Sequence, residues 1–402
     1  MIGVCVLGST GSIGRSTLDV LARHPDRYRV ISLAAGSDVS GLAQQCLQFR
    51  PARAALADPA AARELAQQLR AEGCSTEVLS GPEALAELAR DPDAAVVMAA
   101  ISGAAGLPST LAAAQSGKRL LIANKESVVM AGALLLDAVR RSGAELIPID
   151  SEHNAIFQCL PPVWQVGQRS AGVRRLLLTA SGGPFLDWPA AAIRTATPAQ
   201  AVAHPRWSMG AKISVDSASL MNKGLELIEA AVLFGMPADD IEVLIHPESV
   251  VHSLVEFVDG STLAQLGSPD MRTPIAQALA WPERIPAGVE FLDLLKAGQL
   301  NFRAPDLERF PALALARAAA QAGGLASVWL NAADEAAVEA FLAKRLNFGD
   351  IPAVIADVMD QFAGGQSEDL AAVLAADTEA RAYAAQCIAA PHRLYRFGGS
   401  AP

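Results

Sequence analysis

An apolar run at residues 2–7 passes straight into Gly8-Ser9-Thr10-Gly11-Ser12-Ile13-Gly14, and a helical pattern opens behind it at 15–23. Few local arrangements satisfy that order. A strand that turns sharply through glycines into a helix lets backbone N–H groups approach a pyrophosphate, whose charge then rests at the positive helix end. The spacing is G-x-x-G-x-x-G, not the commoner G-x-G-x-x-G, so it is the position at the first strand-to-helix turn that predicts dinucleotide binding. The alternative is a tight turn with no ligand.

Further short apolar runs at 28–34, 54–57, 95–99, 119–122 and 145–149 alternate with longer Ala/Leu-rich amphipathic stretches. Continuous apolar runs between helical patterns predict strands covered on both faces, hence an α/β, doubly wound parallel sheet of Rossmann-like type over 1–149. From 150 to 280 the texture becomes turn-rich with alternating strands, notably at 249–258, which predicts an α+β catalytic domain. Prolines interrupt 281–311, a connecting segment, and 312–402 reads as a small C-terminal helical domain. A length of 402 residues predicts two or three domains.

Composition narrows the function classes. A hydrophobic fraction of 51% against 18% charged predicts a folded chain, and a net charge of −10 without a basic run argues against nucleic acid. Cys5, Cys46, Cys74, Cys159 and Cys387 show no C-x-x-C spacing, so neither a disulfide framework nor a zinc site is expected and the cytoplasm fits best. No apolar run is long enough for a bilayer and no signal-peptide pattern precedes the first strand, so no membrane association is expected.

Polar residues then cluster where ligands of such folds bind. Asn124-Lys125-Glu126 closes the fifth apolar run beside the expected nicotinamide end. Asp150 and Glu152 follow the last run and, two apart in an extended segment, point to one side as oxygen ligands for a hard divalent cation; a helix cap is the other reading. A helix is predicted over 217–234, with Asn222, Lys223 and Glu226 on one side of its first turns and Ser217 and Ser219 at its start, a site suited to a phosphate ester. Ser181-Gly182-Gly183 is a further backbone-donor turn. His204-Pro205-Arg206-Trp207-Ser208-Met209-Gly210 has the composition of a lid, or of a Trp packed on a surface. After the second run, Ala34-Ala35-Gly36-Ser37-Asp38 stands where an adenosine ribose is read: Asp38 either accepts from a free 2′-hydroxyl or caps the next helix. Core or interface roles are expected for His153, His246 and His252.

Taken together, the glycine loop, Ala123-Asn124-Lys125-Glu126-Ser127, the run PIDSEHNAIFQ at 148–158, Ser181-Gly182-Gly183-Pro184-Phe185, the run HPRWSMGAKISVDSASLMNKGLE at 204–226, and Gly267-Ser268-Pro269-Asp270-Met271-Arg272 closely resemble the 1-deoxy-D-xylulose 5-phosphate reductoisomerase family. Leu330-Asn331-Ala332-Ala333-Asp334-Glu335 extends the likeness into the helical tail. The resemblance implies a homodimer of the non-mevalonate isoprenoid pathway. It would convert 1-deoxy-D-xylulose 5-phosphate and NADPH into 2-C-methyl-D-erythritol 4-phosphate with Mg2+, Mn2+ or Co2+. It also implies metal ligation by Asp150, Glu152 and Glu226, and catalytic roles for Lys125, Glu152 and His204. Substrate contacts would come from Lys125, Ser151, Glu152, Ser181, His204, Ser217, Asn222, Lys223 and Glu226. Cofactor contacts would come from Thr10, Gly11, Ser12, Ile13, Gly36, Ser37, Asp38, Asn124, Glu126 and Gly210. One departure stands out: the family usually carries a basic residue and Asn where this chain has Ser37-Asp38. Two rival readings are a metal-free NAD(P)-dependent dehydrogenase of similar plan, which would work in chelator, and a redox-sensing dinucleotide binder without turnover.

Overall fold

The computed structural model describes residues 1–205 and 209–390. The chain forms two compact units, each assembled from separate stretches. The first comprises 1–127, 135–157 and 270–291; the second comprises 128–134, 158–269 and the described residues from Leu292 on.

Seven strands build the first unit: β1 (Ile2–Leu7), β2 (Tyr28–Ala35), β3 (Arg53–Leu56), β4 (Glu77–Ser80), β5 (Val96–Ala99), β6 (Arg119–Ile122) and β7 (Glu145–Pro148). They pair in parallel in the order β4-β3-β2-β1-β5-β6-β7. Helical crossovers cover both faces, which is why Val4 to Leu7 and Val97 to Met98 are wholly buried and carry no polar alternation. The order reverses between β1 and β5, and ligands of such sheets bind in the crevice outside the carboxyl ends of the strands at that point.

Six of the strands fall on the apolar runs of the sequence. β4 does not: it is four residues long at the edge of the sheet with none of them buried, so it leaves no apolar run to read. The first helix begins at Ser12 rather than Arg15 and ends at Arg23, with Gly11 as its N-cap. That shortens the turn from β1. Gly8 holds φ +81°, and a Cβ on Gly14 would lie 2.3 Å from the Gly8 carbonyl oxygen, so only glycine lets the helix approach the strand so closely. Residues 270–291 return to this unit as the helix Arg272–Ala280, which packs on Ser12–Arg23. Arg272 bridges Asp19 at 3.1 Å and Asp270 at 2.6 Å.

The second unit has a mixed sheet of β8 (Val173–Ala180), β9 (Ile241–Ile245), β10 (Val251–Phe257) and β11 (Thr262–Leu266). Its order is β11-β10-β8-β9, with β8 and β9 parallel and the other pairs antiparallel. The helices Ala312–Ala322, Ala326–Leu342, Ile351–Met359 and Leu370–Ala389 follow, burying alanine- and leucine-rich faces. The helix predicted over 217–234 is in fact two, Ala211–Ser219 and Met221–Phe234, joined at Leu220 with φ +62°. A buried leucine in the left-handed region is an unusual break, and no glycine or proline marks it in the sequence. No helix among the described residues is long and apolar enough to cross a membrane.

The glycines of the loop differ in how tightly they pack, because a Cβ on Gly11 would meet only the Gly8 carbonyl oxygen, at 3.3 Å. Gly14→Ala is expected to lower stability in urea melts by about 1–3 kcal/mol through overpacking. Gly11→Ala should stay within about 0.5 kcal/mol of the parent protein. Equal losses from the two would contradict this difference in packing.

Candidate active site

At the carboxyl edge of the first sheet, the amides of Gly8 and Ser9 donate to the Ala34 carbonyl at 2.8 Å, which binds the loop after β1 to the end of β2. Gln45 adds a bond of 2.9 Å from Nε2 to the Ser9 carbonyl. Thr10 and Gly11 therefore sit on a loop fixed from behind, Ser12 and Ile13 open the helix that follows, and Gly11 and Ser12 are exposed. A Cβ on Gly36 would meet nothing within 4 Å, and Ser37 beside it is exposed. Asp38 caps the helix Val39–Phe49: its Oδ1 accepts from the Gly41 amide at 2.9 Å and the Ser40 hydroxyl at 3.4 Å.

The ends of β6 and β7 carry the next group. Asn124 caps the helix Lys125–Ser142 by accepting from the Ser127 amide at 2.8 Å, and its Nδ2 donates to the Gly103 carbonyl at 3.1 Å and to Glu126 Oε2 at 3.0 Å. Lys125, only 8% exposed, sets its Nζ 2.8 Å from Asp150 Oδ2. A buried ammonium is costly unless a carboxylate compensates it. The segment after β7 is not extended, since the helix Ser151–Cys159 begins directly behind Asp150 and Glu152 occupies its first turn. The Ser151 amide donates to Asp150 Oδ1 at 3.0 Å, and the Ser151 hydroxyl donates to Glu152 Oε2 at 2.5 Å. Asn154 anchors this helix by donating to the Pro148 carbonyl at 3.0 Å and to Gln277 Oε1 at 2.9 Å.

In the second unit, Ser181 follows β8 and its Oγ lies 2.9 Å from His204 Nε2 while accepting from the Gly183 amide at 3.1 Å. A Cβ on Gly183 would fall 2.6 Å from the Ser217 carbonyl oxygen, so this turn packs directly on the backbone of the helix Ala211–Ser219. Ser181, His204 and Ser217 are thereby gathered at one place. Because of the break at Leu220, Ser217 and Ser219 end one helix instead of opening the next. Ser219 still serves the following helix, since its Oγ accepts from the Met221 amide at 3.3 Å. On Met221–Phe234, Asn222 donates to Glu226 Oε1 at 2.5 Å and the Lys223 ammonium donates to Glu226 Oε2. Lys223, Glu226 and Glu229 are all buried on this helix, an arrangement costly in charge unless every member is compensated.

Gly210, the N-cap of Ala211–Ser219, accepts at its carbonyl from Ser214 Oγ at 3.0 Å and is open on its Cα side. Arg206, Trp207 and Ser208, the centre of the expected lid, lie outside the described residues. The three histidines expected in structural roles are buried; His246 stacks on Phe302 with ring centroids 4.8 Å apart. Burial pushes the Cys5 and Cys46 thiols up to about 12, which fits inert core side chains. Sequence reasoning missed a third buried group: Lys212, with Nζ 2.6 Å from Asp216 Oδ2 and 2.9 Å from Asp334 Oδ2. Burial pushes the Asp334 carboxyl up, and the Lys212 ammonium opposes it. Only the spacing of Lys212 and Asp216, four apart on one helix, hints at this group in the sequence.

Comparison with known proteins agrees with this architecture. Residues 4–132 match the model of 1-deoxy-D-xylulose 5-phosphate reductoisomerase, and 146–234 and 266–383 match two models of C-terminal domains of that enzyme. The chain is 59% identical over 395 residues to a 1-deoxy-D-xylulose 5-phosphate reductoisomerase of Stutzerimonas stutzeri, covering 98% of each chain. It is 57% identical to the enzyme of that name from Methylococcus capsulatus, over 96% of this chain and 99% of the relative. Among solved structures, a DOX-P reductoisomerase in complex with NADPH, fosmidomycin and magnesium superposes with a TM-score of 0.92 at 48% identity, covering 98% of this chain and all of that one. The Zymomonas mobilis enzyme in complex with NADPH gives 0.89 at 49% identity, over 96% of this chain and 98% of that one. The chain belongs to the 1-deoxy-D-xylulose 5-phosphate reductoisomerase family.

Proposed function

We infer that the chain converts 1-deoxy-D-xylulose 5-phosphate into 2-C-methyl-D-erythritol 4-phosphate with NADPH and a divalent cation, the reaction for which its family is named. The observation that carries the site assignment is a gathering of carboxylates in two places. At the ends of β6 and β7, Glu126, Asp150 and Glu152 stand with the ammonium of Lys125; along Met221–Phe234, Glu226 and Glu229 are buried with that of Lys223. Hard oxygen donors suit Mg2+ or Mn2+, with Co2+ also admissible, and we assign Asp150, Glu152 and Glu226 as the ligands. The loop at Gly8, Gly11 and Gly14 suits the pyrophosphate of NADPH, with Thr10, Gly11, Ser12, Ile13, Gly36, Ser37, Asp38, Asn124, Glu126 and Gly210 as its contacts.

When bound, the cation would polarise the ketone and NADPH would supply the hydride. The chain's own residues hold and orient the substrate. Ser181, His204, Ser217, Asn222 and Lys223 grip the phosphate, which removes rotational freedom at the reacting end. Ser151, Glu152 and Lys125 face the sugar oxygens, and Lys125 and Glu152 carry protons to and from them. We assign residues 1–149 to cofactor binding and 150–280 to catalysis. A homodimer is supported by the exposed edge strand β11, where Leu263 is 49% and Leu266 36% exposed. A reducing cytoplasm is consistent with five free cysteines.

Three outcomes are expected. Following NADPH absorbance, activity should vanish in chelator and return with Mg2+ or Mn2+, and Glu226→Gln should raise the Mg2+ requirement by roughly 10- to 100-fold; unchanged activity at limiting Mg2+ would remove Glu226 from the metal site. Lys223→Ala should raise the KM for the sugar phosphate roughly thirtyfold, about 2 kcal/mol, with the KM for NADPH unmoved. An effect confined to the cofactor would contradict the phosphate assignment. Light scattering should give twice the chain mass, and Leu263→Lys should shift that toward the monomer; a monomeric parent protein would remove the dimer.

A further inference from the structure

Helix Ala211–Ser219 is nine residues long, below the length at which a helix holds its shape without tertiary support. It carries Ser217, is capped by Gly210, and ends at the strained Leu220, after which the chain restarts as the helix bearing Asn222, Lys223 and Glu226. The direction of this short helix therefore decides where Ser217 stands relative to Ser181 and Asn222. A hydrophobic face alone holds such a helix loosely, because apolar contacts are not directional.

Lys212 and Asp216 lie on one side of it, four residues apart, and Asp216 immediately precedes Ser217. Asp216 and Asp334 are 1% and 0% exposed, and the Lys212 ammonium stands within 3 Å of a carboxylate oxygen of each, at 2.6 and 2.9 Å. Asp334 belongs to the helix Ala326–Leu342, whose next residue, Glu335, is itself held by Arg381 of the last helix at 2.5 Å. Buried ion pairs seldom add stability over apolar substitutes, but they fix geometry, because the charges tolerate few alternative arrangements.

We propose that Lys212 is a positioning residue for the substrate site: clamped between Asp216 and Asp334, it ties the helix Ala211–Ser219 to the C-terminal helix Ala326–Leu342 and so sets the position of the Ser217 hydroxyl. The C-terminal helices thus act on catalysis at a distance, with this ammonium group as one link. This rests on the assignment of Ser217 to the phosphate end of the substrate.

The test uses the full-length enzyme with its metal and NADPH. Asp334→Asn, which keeps the shape, and Lys212→Met are each expected to raise the KM for 1-deoxy-D-xylulose 5-phosphate about tenfold, with kcat changed less than about threefold and the KM for NADPH unchanged. Hydrogen exchange over 211–219 should accelerate, and Lys212→Arg should recover most of the lost affinity. A folded Asp334→Asn enzyme with parental KM and parental exchange over 211–219 overturns the proposal, as does a variant that loses only melting temperature. Should Lys212→Met fail to fold, Asp334→Asn decides alone; should both fail, Lys212→Arg decides, a parental KM supporting the clamp and a KM raised as far as that of Ser217→Ala refuting it. Ser217→Ala separates the two layers. If it leaves the KM unmoved, the assignment of Ser217 has failed; if it raises the KM while Asp334→Asn does not, the clamp has failed.

Discussion

Glu226 is a carboxylate at 1% exposure on a largely buried helix, and its burial is the constraint to which the rest of the site answers. Left alone, such a charge would cost several kcal/mol or be neutralised by a proton. Asn222 and Lys223 donate to its two oxygens, which compensates the buried group but also commits the first turn of its helix to polar side chains. Glu229, one turn further on, is buried as well.

The first unit gathers its polar side chains by different means. Its sheet fixes Asn124 and Lys125 at the end of β6 and Asp150 at the end of β7, adjacent parallel strands whose register pairs Ile122 with Pro148. The contact of 2.8 Å between Lys125 and Asp150 follows from that register. A parallel sheet delivers polar side chains to one edge while its core remains apolar, and the chemistry sits on the loops that the rigid strands position.

Much of this was legible in the sequence because it is local. The glycine loop, the carboxylates after β7 and the Asn222, Lys223, Glu226 face each announce themselves within one or two turns of chain. What escaped was either weakly patterned or distant. β4 is a half-exposed edge strand; Leu220 breaks a helix through a backbone angle that leucine gives no sign of; and Asp334 meets Lys212 only through folding. Asp38, open in the sequence to two readings, is engaged in capping, as its neighbours Ser37 and Ser40 suggest for a turn-forming segment.

The assignment of three carboxylates to one cation is the claim on which the mechanism stands. Crystals of the enzyme soaked with Mn2+ and measured at the manganese absorption edge locate that ion directly. One strong anomalous peak within about 2.0–2.4 Å of carboxylate oxygens of Asp150, Glu152 and Glu226 is the predicted result. A peak coordinated elsewhere, or one that leaves Glu226 bound only to Asn222 and Lys223, would contradict the account.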